Sequence, residues 1–194
     1  MNNKQLILAS GSSYRRDLLQ RLGLSFDCWA PDVDETAAPR EAPRATATRL
    51  ARAKAEAAAV RYPQAWIIGS DQVAEDGGRP IGKPGTVEAA RQQLRSMRGR
   101  VIHFHTALCV ATPGGKRVHE ELVSTEVAFR VLSDQEIDRY LEKEPALDCA
   151  GSAKSEGLGI ALLQRLSGDD PTALIGLPLI ALSAILRAEG FDLP

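Results

Sequence analysis

Apolar and polar positions along this chain alternate between short runs and longer helical stripes. Leu6-Ile7-Leu8-Ala9 is an apolar run that stops at Ser10-Gly11-Ser12-Ser13, after which Leu18, Leu19 and Leu22 recur at helical spacing until Gly23. This predicts a strand, a Ser/Gly loop and a helix. Ser25 to Ala30 reads as a second strand, and Arg44 to Arg61 as a helix with Leu50, Ala53, Ala57 and Val60 on one stripe. Ala65 to Ile68 is a buried-strand run ending at Gly69-Ser70 and then Asp71. Asp76-Gly77-Gly78 turns the chain back towards Ile81-Gly82-Lys83-Pro84. Thr86 caps a helix running to about Met97, and Val101 to Ala111 pairs with Arg117 to Val131 in a long hairpin. Ser133-Asp134-Gln135-Glu136 is a capping box for a helix carrying Ile137, Tyr140 and Leu141. Asp170-Pro171 opens a short helical turn, and Pro178 starts a last helix that Gly190 closes. Strands interleaved with helices, plus one long hairpin, predict an α/β fold: a mixed twisted sheet flanked by helices.

Composition narrows the class. A chain of 194 residues suffices for one well-buried core, so residues 1–194 are expected to form a single domain, with room for two lobes around a cleft. A net charge of −1 leaves no broad basic face for nucleic acid or a membrane surface, so any anion site must be local. Cys28, Cys109 and Cys149 are odd in number, far apart and without a C-x-x-C, which favours reduced thiols in the cytoplasm over a disulfide framework. Leu6 to Ala9 is too short for a signal-peptide core. Pro171 to Leu186 is interrupted by Gly176, Pro178 and Ser183 and is short for a membrane span, so it reads as core helix.

Charged residues then gather near the loops. Asp71 and Lys83 flank one hairpin, a carboxylate and an ammonium suited to a metal-bound or phosphorylated ligand, although a turn-capping acid and a solvated lysine explain them equally. Gly77-x-x-x-x-Gly82-Lys83 imitates a P-loop but ends in Pro84. Proline has no hydroxyl for magnesium and disfavours helix at Lys83, so the match is rejected. Arg15 and Arg16 fall in a first helical turn, where cations oppose the dipole by about 0.3–1 kcal/mol each; a bound anion reverses that penalty. The plain alternative is Ser12 or Ser13 as an N-cap beside solvated arginines. Asp32, Asp34 and Glu35 form an acidic loop, either a solvated connection or one that helps hold a divalent cation. Lys54 lies on the shoulder of its stripe and by default keeps its head in water. Small residues around Lys154 and Glu156 favour a pocket-lining loop, with tight packing the alternative. His103 and His105 share a strand face, but His119 falls roughly 13 Å or more from His105 at ~3.3 Å per residue, so no histidine metal site is expected.

Taken in order, Leu8-Ala9-Ser10-x-Ser12-x-x-Arg15, Val33-Asp34-Glu35, Ala53-Lys54-Ala55, Gly69-Ser70-Asp71, Gly82-Lys83-Pro84 and Lys154-Ser155-Glu156-Gly157 resemble the Maf nucleotide pyrophosphatases, across nearly the whole chain. Within that family they are similar to the branch acting on 7-methyl-GTP. The resemblance implies a Maf/ITPase-like sheet with a substrate cleft at its edge. It also implies hydrolysis of a nucleoside triphosphate to the monophosphate and pyrophosphate with a divalent cation, Mg²⁺ or Mn²⁺. Asp71 matches the family's catalytic acid and a metal ligand, and Glu35 a second carboxylate near the metal. Ser10, Ser12, Arg15, Lys54 and Lys83 match its substrate contacts. Branch specificity is implied at Tyr14, Gln72 and Glu156, where the branch that cleaves dTTP and UTP usually has Arg, Thr and Gln. An aromatic ring could stack on the positively charged 7-methylguanine, and Glu156 could accept from its N1–H and N2–H₂ edge. Ser13 stands where the family commonly has proline.

The resemblance implies removal of modified nucleotides before they enter nucleic acid, with a nucleoside triphosphate as the partner and a homodimer allowed; thiol usage and net charge add a cytoplasmic setting without nucleic acid or membrane as partner. Two alternatives stay open: a broader pyrophosphatase for UTP, dTTP or other modified nucleotides, and a non-catalytic nucleotide-binding regulator of cell division.

Overall fold

β1 (Leu6–Leu8) is buried at every position. It pairs in parallel with β2 (Asp27–Cys28) on one side and β3 (Trp66–Asp76) on the other, in register Leu6 with Trp66 and Leu8 with Ile68. Parallel neighbours need crossovers, and here α1 (Ser13–Gln20) and α2 (Pro43–Arg61) supply them. The computed structural model describes residues 4–115 and 117–194. Its remaining elements are β4 (Arg79–Ile81), α3 (Val87–Met97), β5 (Val101–Ala111), β6 (Val118–Phe129), α4 (Asp134–Lys143), β7 (Leu163–Ser167) and α5 (Leu179–Ala188). The sheet has seven strands in the order β2-β1-β3-β5-β6-β7, with β4 paired antiparallel to the end of β3. It is the mixed α/β sheet that the hydropathy pattern predicts.

Three strands depart from the reading of the sequence. β2 shrinks to two residues. β7 was not anticipated, because Leu163–Ser167 carries no clean alternation; it pairs antiparallel with β6 across a register irregularity at Ala128/Phe129. The third departure matters most. β3 does not stop at Ile68 but runs on to Asp76, so Asp71 sits in mid-strand rather than at a strand end. Gly69 does not break the strand, because its extended backbone keeps the ladder while its missing side chain admits a neighbour.

The described chain divides into two compact units. The first comprises the chain up to Gln72 with Thr106–Val123 and Asp170–Pro194; the second comprises Val73–His105 with Ser124–Asp169. In the first, Leu6, Leu8 and Ile68 of the sheet pack with Leu18 and Leu19 of α1 and Leu182, Ile185 and Leu186 of α5. In the second, the Ser133–Glu136 capping box opens α4, and Arg91 bonds Asp138 at 2.7 Å to hold α3 beside α4. Exposed pairs of this kind orient elements more than they stabilise them. His105 is hydrogen-bonded at both ring nitrogens, to Ser124 Oγ at 2.8 Å and Glu75 Oε2 at 3.0 Å. Among the described residues no helix is long and apolar enough to cross a membrane.

Candidate active site

β3 organises the first unit by sending alternate side chains to opposite faces. Gly69 and Asp71 share one face. A Cβ on Gly69 would lie 2.3 Å from the Ala51 carbonyl oxygen and 2.8 Å from the Ala55 nitrogen, so α2 rests on the bare strand backbone there. Lys54, between those two alanines, is thereby carried to Asp71. Its Nζ donates to Asp71 Oδ1 at 2.7 Å and meets Glu35 Oε1 at 2.6 Å. Lys54 is only 8 % exposed and Asp71 7 %. The lysine therefore turns inward rather than keeping its head in water, because two carboxylates compensate the loss of hydration.

Arg15 completes this group from α1. Ser12 caps that helix, its Oγ accepting from the Arg15 amide at 3.4 Å. Ser10, itself buried, accepts from the Ser12 amide at 3.1 Å and from Arg15 Nη1 at 3.3 Å. Arg15 Nε donates to the Gly176 carbonyl at 2.8 Å. Burial pushes the Arg15 pKa down, while the nearby Asp71 and Glu35 carboxylates pull it back up. Arg16, by contrast, is exposed beside Asp17. Thus Ser10, Ser12, Arg15, Glu35, Lys54 and Asp71 assemble within one unit. Tyr14 is half-buried in the first turn of α1, and Gln72 directs its amide at protein acceptors described below. Lys83 and Glu156 belong to the second unit, and both are exposed: Lys83 just beyond β4, Glu156 in the loop ahead of β7.

Three contributors escaped the sequence reading. Arg49, which carries no motif, donates to both carboxylate oxygens of Glu41, at 2.7 and 2.8 Å, and to the Thr36 carbonyl at 3.0 Å. It thereby staples the loop that carries Glu35. Ser70, fully buried, donates to the Gly176 carbonyl at 3.0 Å. The 170–177 turn, which the sequence marks only as a short helical turn opened by Asp170-Pro171, supplies that carbonyl. Ser70 stood inside a quoted motif, but no spacing pattern could have joined residue 176 to residue 15.

Two carboxylates here oppose one ammonium and one guanidinium, so the cluster is close to neutral while a triphosphate tail brings several negative charges. The donors are hard oxygens, suited to a hard divalent cation. No group of three or more His, Cys, Asp or Glu that could hold a metal occurs among the described residues. Asp71 and Glu35 could share such an ion with oxygens of water or ligand.

A mixed sheet with these elements has relatives among solved structures. The Staphylococcus aureus Ham1 protein aligns with a TM-score of 0.58 over 96 % of this chain and 100 % of its own, at 15 % identity. A HAM1 protein from Coxiella burnetii aligns at 0.57 over 95 % and 99 %, at 19 % identity. At those identities the likeness defines a fold class, Ham1-like α/β. The sequence is more specific: residues 5–189 match the Maf family of Maf-like proteins, and this chain belongs to that family. It is 60 % identical to a 7-methyl-GTP pyrophosphatase of Aromatoleum aromaticum over the full length of both chains. It is 57 % identical to one of Xanthomonas campestris pv. campestris over 98 % of each chain. A third, from Burkholderia thailandensis, is 58 % identical over 97 % of this chain and 89 % of its own.

Proposed function

We propose that this protein is a nucleoside triphosphate pyrophosphatase whose substrate is 7-methyl-GTP. The observation that carries the reading is the buried Lys54 ammonium joining Glu35 and Asp71 beside Arg15, together with near 60 % identity to full-length relatives bearing that activity in their names. In this reading Ser10, Ser12, Arg15 and Lys54 hold the polyphosphate. The two cations neutralise charge that develops on departing pyrophosphate, and Lys83 acts in the same sense. Asp71 is the proton acceptor. Lys54 takes Oδ1, and Oδ2 accepts no hydrogen bond from the described residues, so that oxygen can take a proton from water. The water oxygen bonds to the α phosphorus, the α–β bridging bond breaks, and the electron pair leaves with pyrophosphate. A divalent cation held by Asp71 and Glu35 would screen the phosphate charge and polarise the phosphoryl oxygens.

Base recognition is assigned to Tyr14 and Glu156 on chemistry: an aromatic ring stacks on a cationic purine, and a carboxylate accepts from the guanine edge. Reduced thiols at Cys28, Cys109 and Cys149 suit a cytoplasmic protein. The test is a panel of 7-methyl-GTP, GTP, UTP and dTTP with and without Mg²⁺, resolving monophosphate from diphosphate. Cleavage of 7-methyl-GTP to monophosphate, lost in Asp71→Asn without loss of fold, is the expected result. Preferred cleavage of UTP or dTTP, or near-normal turnover by Asp71→Asn, would overturn it. Glu156→Gln is expected to weaken 7-methyl-GTP cleavage more than UTP cleavage.

A further inference from the structure

While one face of β3 gives Asp71 to α2, its other face gives Ser70 and Gln72 to the 170–177 turn. The Gln72 amide nitrogen lies 2.9 Å from the Ala173 carbonyl, 3.0 Å from the Leu174 carbonyl and 2.8 Å from Thr106 Oγ1. Two carbonyl acceptors fix which end of the amide points that way. Thr106, fully buried on β5, donates to the Ala173 carbonyl at 2.8 Å. Asp170, 2 % exposed, closes the turn: Oδ1 accepts from the Thr172 amide at 2.9 Å and Oδ2 from the Ile180 amide at 2.7 Å. The turn ends at Gly176, whose carbonyl accepts from both Arg15 Nε and Ser70 Oγ. Gly176 has φ +129°, where side chains are disfavoured. A Cβ there would meet Arg15 only at an ordinary 3.6 Å, so the demand for glycine is conformational rather than steric.

We propose that Ser70, Gln72 and Thr106 are positioning residues: by locking the 170–177 turn they set the Gly176 carbonyl, and that carbonyl aims the Arg15 guanidinium at the phosphate tail. The inference rests on Arg15 being a polyphosphate contact, as proposed above. It assigns Gln72 a different task from reading the base, since both of its amide hydrogens face acceptors inside the protein. It also explains how an arginine is tolerated in the first turn of α1. A fixed carbonyl dipole takes the Nε–H of the guanidinium and leaves other N–H donors along its edges for anion. Alternate side chains of one strand thus serve the proton acceptor and the anion holder separately.

The test uses inorganic tripolyphosphate, which has no base to be read. Its binding is measured by calorimetry to the full chain carrying Ser70→Ala or Gln72→Met, each with Arg15 present and with Arg15→Ala. Ser70→Ala deletes a single oxygen and adds no atom, so it keeps the test valid if Gln72→Met fails to fold. Both are expected to weaken tripolyphosphate about fivefold or more when Arg15 is present and by less than about twofold when it is absent. The KM values for 7-methyl-GTP and UTP should rise by the same factor, with kcat changed less. Equal losses in both arginine backgrounds would overturn the proposal. So would a changed preference between 7-methyl-GTP and UTP with unchanged tripolyphosphate binding. A parent protein that does not bind tripolyphosphate removes the polyphosphate reading itself. Binding by the parent that both variants retain removes only the positioning role.

Discussion

Gly69→Ala puts the smallest possible side chain at the point where α2 lies on β3. Its Cβ would stand 2.3 Å from the Ala51 oxygen and 2.9 Å from the Ala55 Cβ. Ordinary contact begins near 3.4 Å, and the obstructing atoms are backbone rather than the ends of flexible side chains. The helix must therefore withdraw by about 1 Å in a close-packed interior that has no slack for it. Overpacking of this kind costs about 1–3 kcal/mol, which in a chain of this length lowers the melting temperature by roughly 3–10 °C. The same displacement pulls Lys54 away from Asp71, now 2.7 Å distant, and misplacement on that scale costs about 10²-fold in turnover. Thermal unfolding by circular dichroism and kcat/KM from pyrophosphate release on 7-methyl-GTP read the two effects separately. Gly82→Ala, whose Cβ meets nothing within 4 Å, is the control for melting temperature. A Gly69→Ala protein melting within ~2 °C of the parent, with kcat/KM within about twofold, would show that α2 does not need the bare backbone.

Three further outcomes are expected. Lys54→Met should lower kcat/KM for 7-methyl-GTP by about 10²–10³, as loss of a transition-state donor does, and a fall of less than about fivefold in steady-state assays would argue against its role. The guanidinium of Arg49, aided by the Ala38 amide, holds the Glu41 carboxyl down at about 2, against an ordinary 4.5. A carboxyl depressed on folding stabilises above its unfolded pKa and loses that contribution as pH falls through the folded one. The difference in urea midpoint between parent and Glu41→Gln should therefore be largest above pH 4.5 and close towards pH 2; a gap independent of pH would contradict the clamp. Finally, burial pushes the Cys109 thiol up to about 12, whereas Cys28 is exposed. Iodoacetamide at mildly alkaline pH should label Cys28 in the native protein and Cys109 only after denaturation, as peptide mass spectrometry would show.

The elements most legible in the sequence were those with local causes. The Ser133 capping box, the Thr86 cap and the long run from Val101 to Ala111 sit where the pattern puts them, because a cap or an alternation acts within a few residues. β3 was read short because glycine and serine punctuate loops on average. Here the neighbouring strands and α2 overrule that tendency. β7 was missed for the converse reason: it is an edge strand with four of five positions exposed, so no buried face imposes a period on it.

From residue order alone came the inventory of the candidate site: a Ser/Gly loop before a helix bearing Arg15, an acidic segment with Glu35, and Asp71 beyond a glycine. Those are choices of chemical group, and chemistry is written residue by residue. Whether Lys54 turned inward was undecidable there, since a lysine on the shoulder of a helix can reach either way until a partner is known. Only the folded chain brought α2 within contact of a side-chain-free backbone, joined that ammonium to two carboxylates, and laid the carbonyl of residue 176 against the arginine at 15. Such pairings depend on distance through space, which the order of residues does not contain.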